Sequence, residues 1–249
     1  IQKKVKNKLV QYGFISTGNL NEKTAKIYAD HCLMTKNVTL MNESNRIFNY
    51  LEHWQLGDKP IVKMRNLLIS PINMRSALLD LIEKEIQIAK KGYVASITVK
   101  LNSLTDTILL DALYKAVKAG VKVNLIIRGI LTLKNVNEKN AGKINSISIV
   151  DQYLEHARVI IFNNKGNQKV FISSADWMVR NLDHRIEVAV PIVDPVIKKE
   201  LIDIIHIQLK DNQKARILDI DLSNKYVPSE KASRFKSQEE TYKFLKGKR

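Results

Sequence analysis

Tyr153-Leu-Glu-His156-Ala-Arg158-Val-Ile-Ile-Phe162, followed after a short turn by Val170-Phe-Ile-Ser173-Ser174-Ala-Asp176-Trp177, decides how this chain reads. A histidine and a cation two positions apart on a strand share one face, because side chains alternate with period two. The second apolar run then delivers hydroxyl and carboxylate groups to the same end. These are the parts of phosphoryl chemistry: an imidazole that attacks or gives a proton, and fixed donors around the oxygens.

The stretch has an echo. Gln11-Tyr-Gly-Phe14-Ile15-Ser16-Thr17-Gly18-Asn19 resembles Gln168-Lys-Val-Phe171-Ile172-Ser173-Ser174-Ala175-Asp176, and Ser16 and Ser173 are 157 positions apart. At that offset the counterpart of His156 falls near position −1, and the chain opens on Ile1 rather than Met. The expectation is a carboxy-terminal piece of a longer protein, cut just inside the first of two half-motifs.

The 249 residues suffice for one large domain plus a fragment, and 45% hydrophobic content is ordinary for a globular protein. No run of 18 apolar residues is present. The single Cys32 excludes an internal disulfide, which fits a reducing cytoplasm. Net charge is +16, concentrated in Lys3, Lys4, Lys6 and Lys8 and in a tail from Lys225 to Arg249 with eight basic and three acidic residues. Such surfaces suit polyanions (nucleic acid, anionic lipid, phosphate polymers), and equally serve as solubilising faces. Nine glycines and 6% aromatics argue against an RNA module built on stacking, so no nucleic-acid partner is expected.

Residues 11–17 read as a strand, Asn21 as the cap of a short turn, 27–34 as extended and 42–54 as a helix. Leu56-Gly-Asp-Lys-Pro60 carries linker chemistry and places the domain boundary there. Beyond it, strands at 67–70, 95–99, 121–127, 147–150, 158–162, 169–174 and 185–191 alternate with helices at 71–91, 106–119 and 195–209. Apolar strands flanked by amphipathic helices indicate an α/β fold, a mixed sheet covered on both faces, with ligands beyond strand ends. The tail from Ser223 is expected to be loosely held, and helical from Ser237.

With both half-motifs in view, the chain resembles the polyphosphate kinase family, a branch of the phospholipase D-like superfamily. The similarity rests on co-linear stretches: Ile15-Ser-Thr-Gly-Asn19-Leu-Asn21, Ile27-Tyr28-Ala-Asp30-His-Cys-Leu-Met-Thr35, Lys100-Leu-Asn102-Ser-Leu, Asn124-Leu-Ile-Ile-Arg128-Gly129, Tyr153-Leu-Glu-His156, Ser173-Ser-Ala-Asp-Trp-Met178, Arg180-Asn181-Leu-Asp183 and Leu222-Ser-Asn-Lys-Tyr226-Val-Pro228. The resemblance implies the end of a first phospholipase D-like domain (1–57) and a second such domain with a basic tail (58–249). It implies reversible transfer of the ATP γ-phosphate to inorganic polyphosphate with Mg²⁺ through a phosphohistidine, and a homo-oligomer in the cytoplasm or at the inner membrane face.

In the family the phosphorylated histidine belongs to the first half-motif, and the magnesium-contacting arginines also lie upstream of Ile1, so no metal ligand is assigned here. The resemblance makes His156 the second histidine, Tyr28 the tyrosine beside the adenine nucleotide and Arg128 a phosphate-binding arginine. Departures are Asn163, where the superfamily has an Asp seven positions after the His, Ala157 directly after His156, and Val179 and His184 where polar or basic residues are common.

On their chemistry alone, Asp176 or Glu187 could fix the His156 tautomer. Arg158, Ser173, Ser174 and Asp176 are candidate phosphate contacts. Arg128 ends an apolar strand before Gly129, where backbone can approach a ligand. Lys100 and Asn102 end another strand and could line the same tunnel. Arg180 and Arg185 suit an ion-pair network with Asp183 and Glu187 as well as they suit a ligand. No glycine-rich phosphate loop and no His or Cys spacing for zinc is present. Two rivals remain open: a phospholipase D-like phosphodiesterase or nuclease, and a non-catalytic polyanion-binding module.

Overall fold

A computed structural model describes residues 1–53, 64–133, 144–228 and 234–248. The chain opens with a hairpin, β1 (Gln2–Val5) and β2 (Lys8–Gln11), turned by Lys6 and Asn7, both at positive φ as a two-residue hairpin requires. β3 (Gly13–Ser16) leads to the turn α1 (Glu22–Ala25), whose Lys23 and Thr24 amides are taken by the Asn21 side chain. The expected extended run 27–34 is split into β4 (Tyr28–Ala29) and β5 (Cys32–Thr35), because β5 pairs back on β3 while β4 leaves for a different partner. α2 (Val38–Glu52) starts earlier than its expected onset at 42, since Asn37 caps it by accepting from the Leu40 amide.

The main body follows as β6 (Leu68–Ser70), α3 (Met74–Lys90), β7 (Ser96–Leu101), α4 (Thr107–Lys118), β8 (Lys122–Ile127), β9 (Asn145–Ile149), β10 (Leu154–Glu155), β11 (Arg158–Phe162), β12 (Lys169–Ser173), β13 (Glu187–Pro191), α5 (Pro195–Leu209), β14 (Ala215–Ile217) and α6 (Ser237–Lys246). Pro71 is not in the first turn of α3 as expected; it stands in the turn before it, and the helix begins at Met74. β13 begins later than the expected 185 because a wide π turn, Arg180–His184, precedes it. The linker and boundary expected at Leu56–Pro60 lie outside the described residues.

Eight strands form one sheet in the order β14-β9-β8-β7-β11-β12-β13-β6, with β7, β8 and β9 parallel and the other pairings antiparallel. Both faces are buried, and alternation along β11 assigns them. Ile160 and Phe162 join Leu78, Ile82, Leu109 and Leu113 under α3 and α4, while Val159 and Ile161 join Ile202 and Ile205 of α5. Leu40, Met41 and Ile47 of α2 belong to that second core, so the opening segment packs onto the main sheet. Glu43 of α2 ties it down, accepting from the Arg65, Asn66 and Leu67 amides. Burial alone would raise that carboxyl; these donors outweigh it and hold it below its usual value.

Within the tail, α6 is held in place rather than loose. Asp211 takes the Ser237 amide at 2.7 Å at the start of α6, and Ser237 is buried.

Candidate active site

β4 and β10 form a parallel ladder of two residue pairs, Tyr28 with Leu154 and Ala29 with Glu155. The His156 amide then donates to the Ala29 carbonyl at 2.9 Å. This register sets Asp30 beside His156: Nδ1 lies 3.1 and 3.2 Å from the two Asp30 oxygens, and each side chain is 19% exposed. Thr17 Oγ1 donates to Asp30 Oδ1 at 2.7 Å from the other side and accepts the His31 amide at 3.0 Å. The expected carboxylates, Asp176 and Glu187, do not hold His156. Asp176 is spent on Arg158 and on the Asn102 and Ser103 amides, and Glu187 on Ser174 and Asn181. Asp30 lies 126 positions from the histidine; the sequence marked it within the extended run 27–34 and the family stretch Ile27–Thr35, but not as the partner of His156.

Arg158 Nη1 also lies 3.1 Å from Nδ1, so one nitrogen faces both an acceptor and a donor. A bare Nδ1 lone pair against the Asp30 carboxylate would be repulsive, whereas Arg158 already has the Thr17 carbonyl at 2.7 Å and the Asp176 carboxylate. Nδ1 therefore carries the proton and donates to Asp30, which leaves the Nε2 lone pair without a partner among the described residues. Burial pushes the Asp30 carboxyl up, but the hydrogen bonds from His156 and Thr17 and the charge of Arg158, joined by that of His156 whenever its ring is protonated, outweigh it and hold it low. Asp30 is the fixed anion that orients the ring.

His156 opens on a cavity of about 480 Å³ bordered by Arg128, Arg158, Arg180 and Arg185 and by Asn102, Ser174 and Asp176. Arg128 is fixed by the Glu155 carbonyl at 2.6 Å, and burial pulls its guanidinium down from the ordinary value while leaving it cationic. Arg180 and Arg185 stand at the two ends of the π turn. That turn is clamped by Arg75, which bonds Asp183 and reaches Asp106 at 2.8 and 3.2 Å. Asp183 and Glu187 thus have partners other than Arg180 and Arg185, and these two arginines border the cavity.

Three expected contacts fall elsewhere. Lys100 turns its Nζ to Glu155 at 2.7 Å in a buried ion pair, outside the cavity. Ser173 is buried, and its hydroxyl accepts the Ala175 amide at 3.0 Å. Gly129 brings its backbone against Asn102 (N–H to carbonyl 2.7 Å) rather than opening to a ligand. Tyr28 stands at the edge, its ring 4.5 Å from the His156 ring with Arg128 above it at 5.6 Å.

The 157-residue echo is structural in detail. Thr17 and Ser174 each donate a hydroxyl to a carboxylate, Asp30 and Glu187, which share the same offset. Ser16 pairs with Cys32 as Ser173 pairs with Ala189, and the Ser16 and Ser173 hydroxyls accept the Gly18 and Ala175 amides.

Family models agree with this geometry: polyphosphate kinase C-terminal domain 1 matches residues 1–56 and C-terminal domain 2 matches residues 67–238. A polyphosphate kinase of Klebsiella pneumoniae is 47% identical over 246 residues, which is 99% of this chain and 35% of that protein. The Escherichia coli K12 polyphosphate kinase is 44% identical over the same length. The crystal structure of polyphosphate kinase from Porphyromonas gingivalis superposes with a TM-score of 0.89 at 40% identity, covering 98% of this chain and 37% of that one. The chain spans about a third of the length of the curated relatives it matches. It belongs to the polyphosphate kinase family.

Proposed function

We propose that the chain is part of an enzyme that reversibly moves the γ-phosphoryl group of ATP to the end of an inorganic polyphosphate chain through a phosphohistidine. One observation carries this reading: an imidazole oriented by Asp30, its Nε2 free, opening on an arginine-bordered cavity. In the first step a histidine Nε2 lone pair attacks the γ-phosphorus. An N–P bond forms, the bond to the β-phosphate oxygen breaks, and ADP leaves. The terminal oxygen of the polymer then attacks the same phosphorus and the N–P bond breaks.

The attacking histidine in this reading is the counterpart of His156, in the segment expected to precede Ile1. Glu187 would be its carboxylate, because Glu187 receives Ser174 as Asp30 receives Thr17. His156 faces it across the cavity and, once Nε2 takes up a proton to give the imidazolium, holds or protonates phosphoryl oxygens, while Arg128, Arg180 and Arg185 offset charge in the loose transition state. Residues 1–57 and 58–249 would be the end of one phospholipase D-like domain and all of a second.

An Mg²⁺ requirement belongs to the same proposal, but the described residues do not form its site. They hold no group of three or more His, Cys, Asp or Glu suited to an ion, and the cavity's carboxylates are committed to Arg158, Ser174 and Asn181. Homo-oligomeric assembly and placement in the cytoplasm or at the inner membrane face rest on the family resemblance. No helix among the described residues is long and apolar enough to cross a membrane.

The test is label transfer from γ-labelled ATP to this chain and to a longer polypeptide containing the preceding segment, scored for acid-labile, base-stable phosphohistidine. Label on the longer polypeptide alone is the expected result, and the 249 residues by themselves should make no polyphosphate. Label on this chain that disappears with His156→Ala would make His156 the nucleophile. No label on either, with hydrolysis of a phosphodiester, would replace the kinase by the phosphodiesterase.

A further inference from the structure

The ladder that aligns His156 is two residues long, so something beyond it must hold the strand. Gln238, in the first turn of α6, does so. Its Oε1 accepts the Tyr153 amide at 3.0 Å, and its Nε2 donates to the Tyr153 carbonyl at 2.8 Å, as a neighbouring strand would. The second Nε2 hydrogen goes to Glu155 Oε1 at 3.0 Å. Glu155 Oε2 takes Lys100 Nζ at 2.7 Å and Gln208 Nε2 at 2.5 Å, and burial of this carboxyl is outweighed by the Lys100 charge, which keeps it ionised. α6 is itself anchored through Ser237 to Asp211 and through Lys248 to Glu200 at 3.1 Å.

We propose that Gln238 is a positioning residue for His156, acting through Tyr153 and Glu155, so that the carboxy-terminal helix sets the ring against Asp30. The role in catalysis rests on the phosphoryl-transfer reading; the placement of the ring does not. A side chain that occupies both backbone groups of Tyr153 and the next outward carboxylate fixes the rotation of the strand segment that ends at His156. Loss of that grip frees the segment to turn about the short ladder, and the Nδ1–Asp30 bond is the first casualty.

Long-range ¹H–¹⁵N spectra of the imidazoles in this 249-residue chain, with His156 in its neutral form, read the tautomer directly. The wild-type chain should show a single Nδ1–H form. Gln238→Ala, and the isosteric Gln238→Glu that faces Glu155 with like charge, should lose that signature. Lys248→Ala, which loosens α6 without touching Tyr153 or Glu155, should keep it. In the longer polypeptide Gln238→Ala should lower kcat about 10-fold with little change in KM for ATP, the lower end of what outer hydrogen-bond partners contribute.

A Gln238→Ala spectrum identical to wild type, an equal change in Lys248→Ala, or an Nε2–H tautomer in the unaltered chain would overturn the proposal. If the longer polypeptide transfers no phosphoryl group while Gln238→Ala still alters the tautomer, the positioning role stands and the reaction class falls.

Discussion

The β3–β5 ribbon and the β12–β13 ribbon have the same register, the same hydroxyl-to-carboxylate bond and the same serine turn, yet different surroundings. Phe171, opposite Pro191, is 6% exposed beneath α3; its counterpart Phe14, opposite Met34, is 50% exposed, and Met34 is 80% exposed. Local chemistry is therefore written into the ribbon itself, while burial depends on what is packed over it. The exposed Phe14–Met34 face corresponds to the one that α3 covers in the second ribbon.

The largest expected difference is in stability. Phe171→Ala should cost about 3–5 kcal/mol in urea unfolding, against less than about 1 kcal/mol for Phe14→Ala in this chain. In a longer polypeptide the second figure should climb toward the first; if it stays low, the two ribbons are not equivalents.

Gly18→Ala comes next. A Cβ there would sit 1.9 Å from Asp30 Oδ2, whereas the counterpart position carries Ala175 with the longer Glu187 as its carboxylate. The substitution should expel Asp30 from His156 and, in the longer polypeptide, lower phosphoryl transfer by about 10²-fold or more, as losing a histidine's orienting carboxylate does. Gly18→Ala combined with Asp30→Glu recreates the Ala–Glu pairing and should recover most of the rate; a neutral Gly18→Ala would break the comparison.

Acid titration gives a smaller signal. A carboxyl held low stabilises the fold above its unfolded value near pH 4 and loses that contribution as pH falls through the folded value. Thermal unfolding of wild type should thus steepen below about pH 4, and Asp30→Asn should flatten that limb. Parallel curves would remove Asp30 as the ionised partner.

Thr17→Ser, which copies Ser174, should change stability by less than about 0.5 kcal/mol, since hydroxyl and bonds survive. Thr17→Val strands the His31 amide and takes one of two donors from Asp30 Oδ1, and should cost about 1–3 kcal/mol.

Much of this was legible beforehand where period and spacing are local. The apolar runs of β8, β11 and β12, the cap at Asn21, and the shared cavity of His156 and Arg158 follow from neighbours a few positions apart. What escaped was pairing at long range. Asp30 rather than Asp176 holds the imidazole because a two-residue ladder joins β4 to β10, too short to leave a pattern. Lys100 was misplaced for a related reason: a strand-end lysine reads as a ligand contact until a buried Glu155 is found beside it. The tail's composition is polar, so nothing in it announced the Asp211 and Gln238 contacts that hold α6 in place.

The Asp30–His156 and Thr17–Arg158 bonds span 126 and 141 positions. Closing loops of that size is slow and uphill until the sheet and its helices exist to reward it. A nascent or half-folded chain consequently has an unaligned imidazole and scattered arginines, and the geometry around His156 exists only once those long-range closures are made.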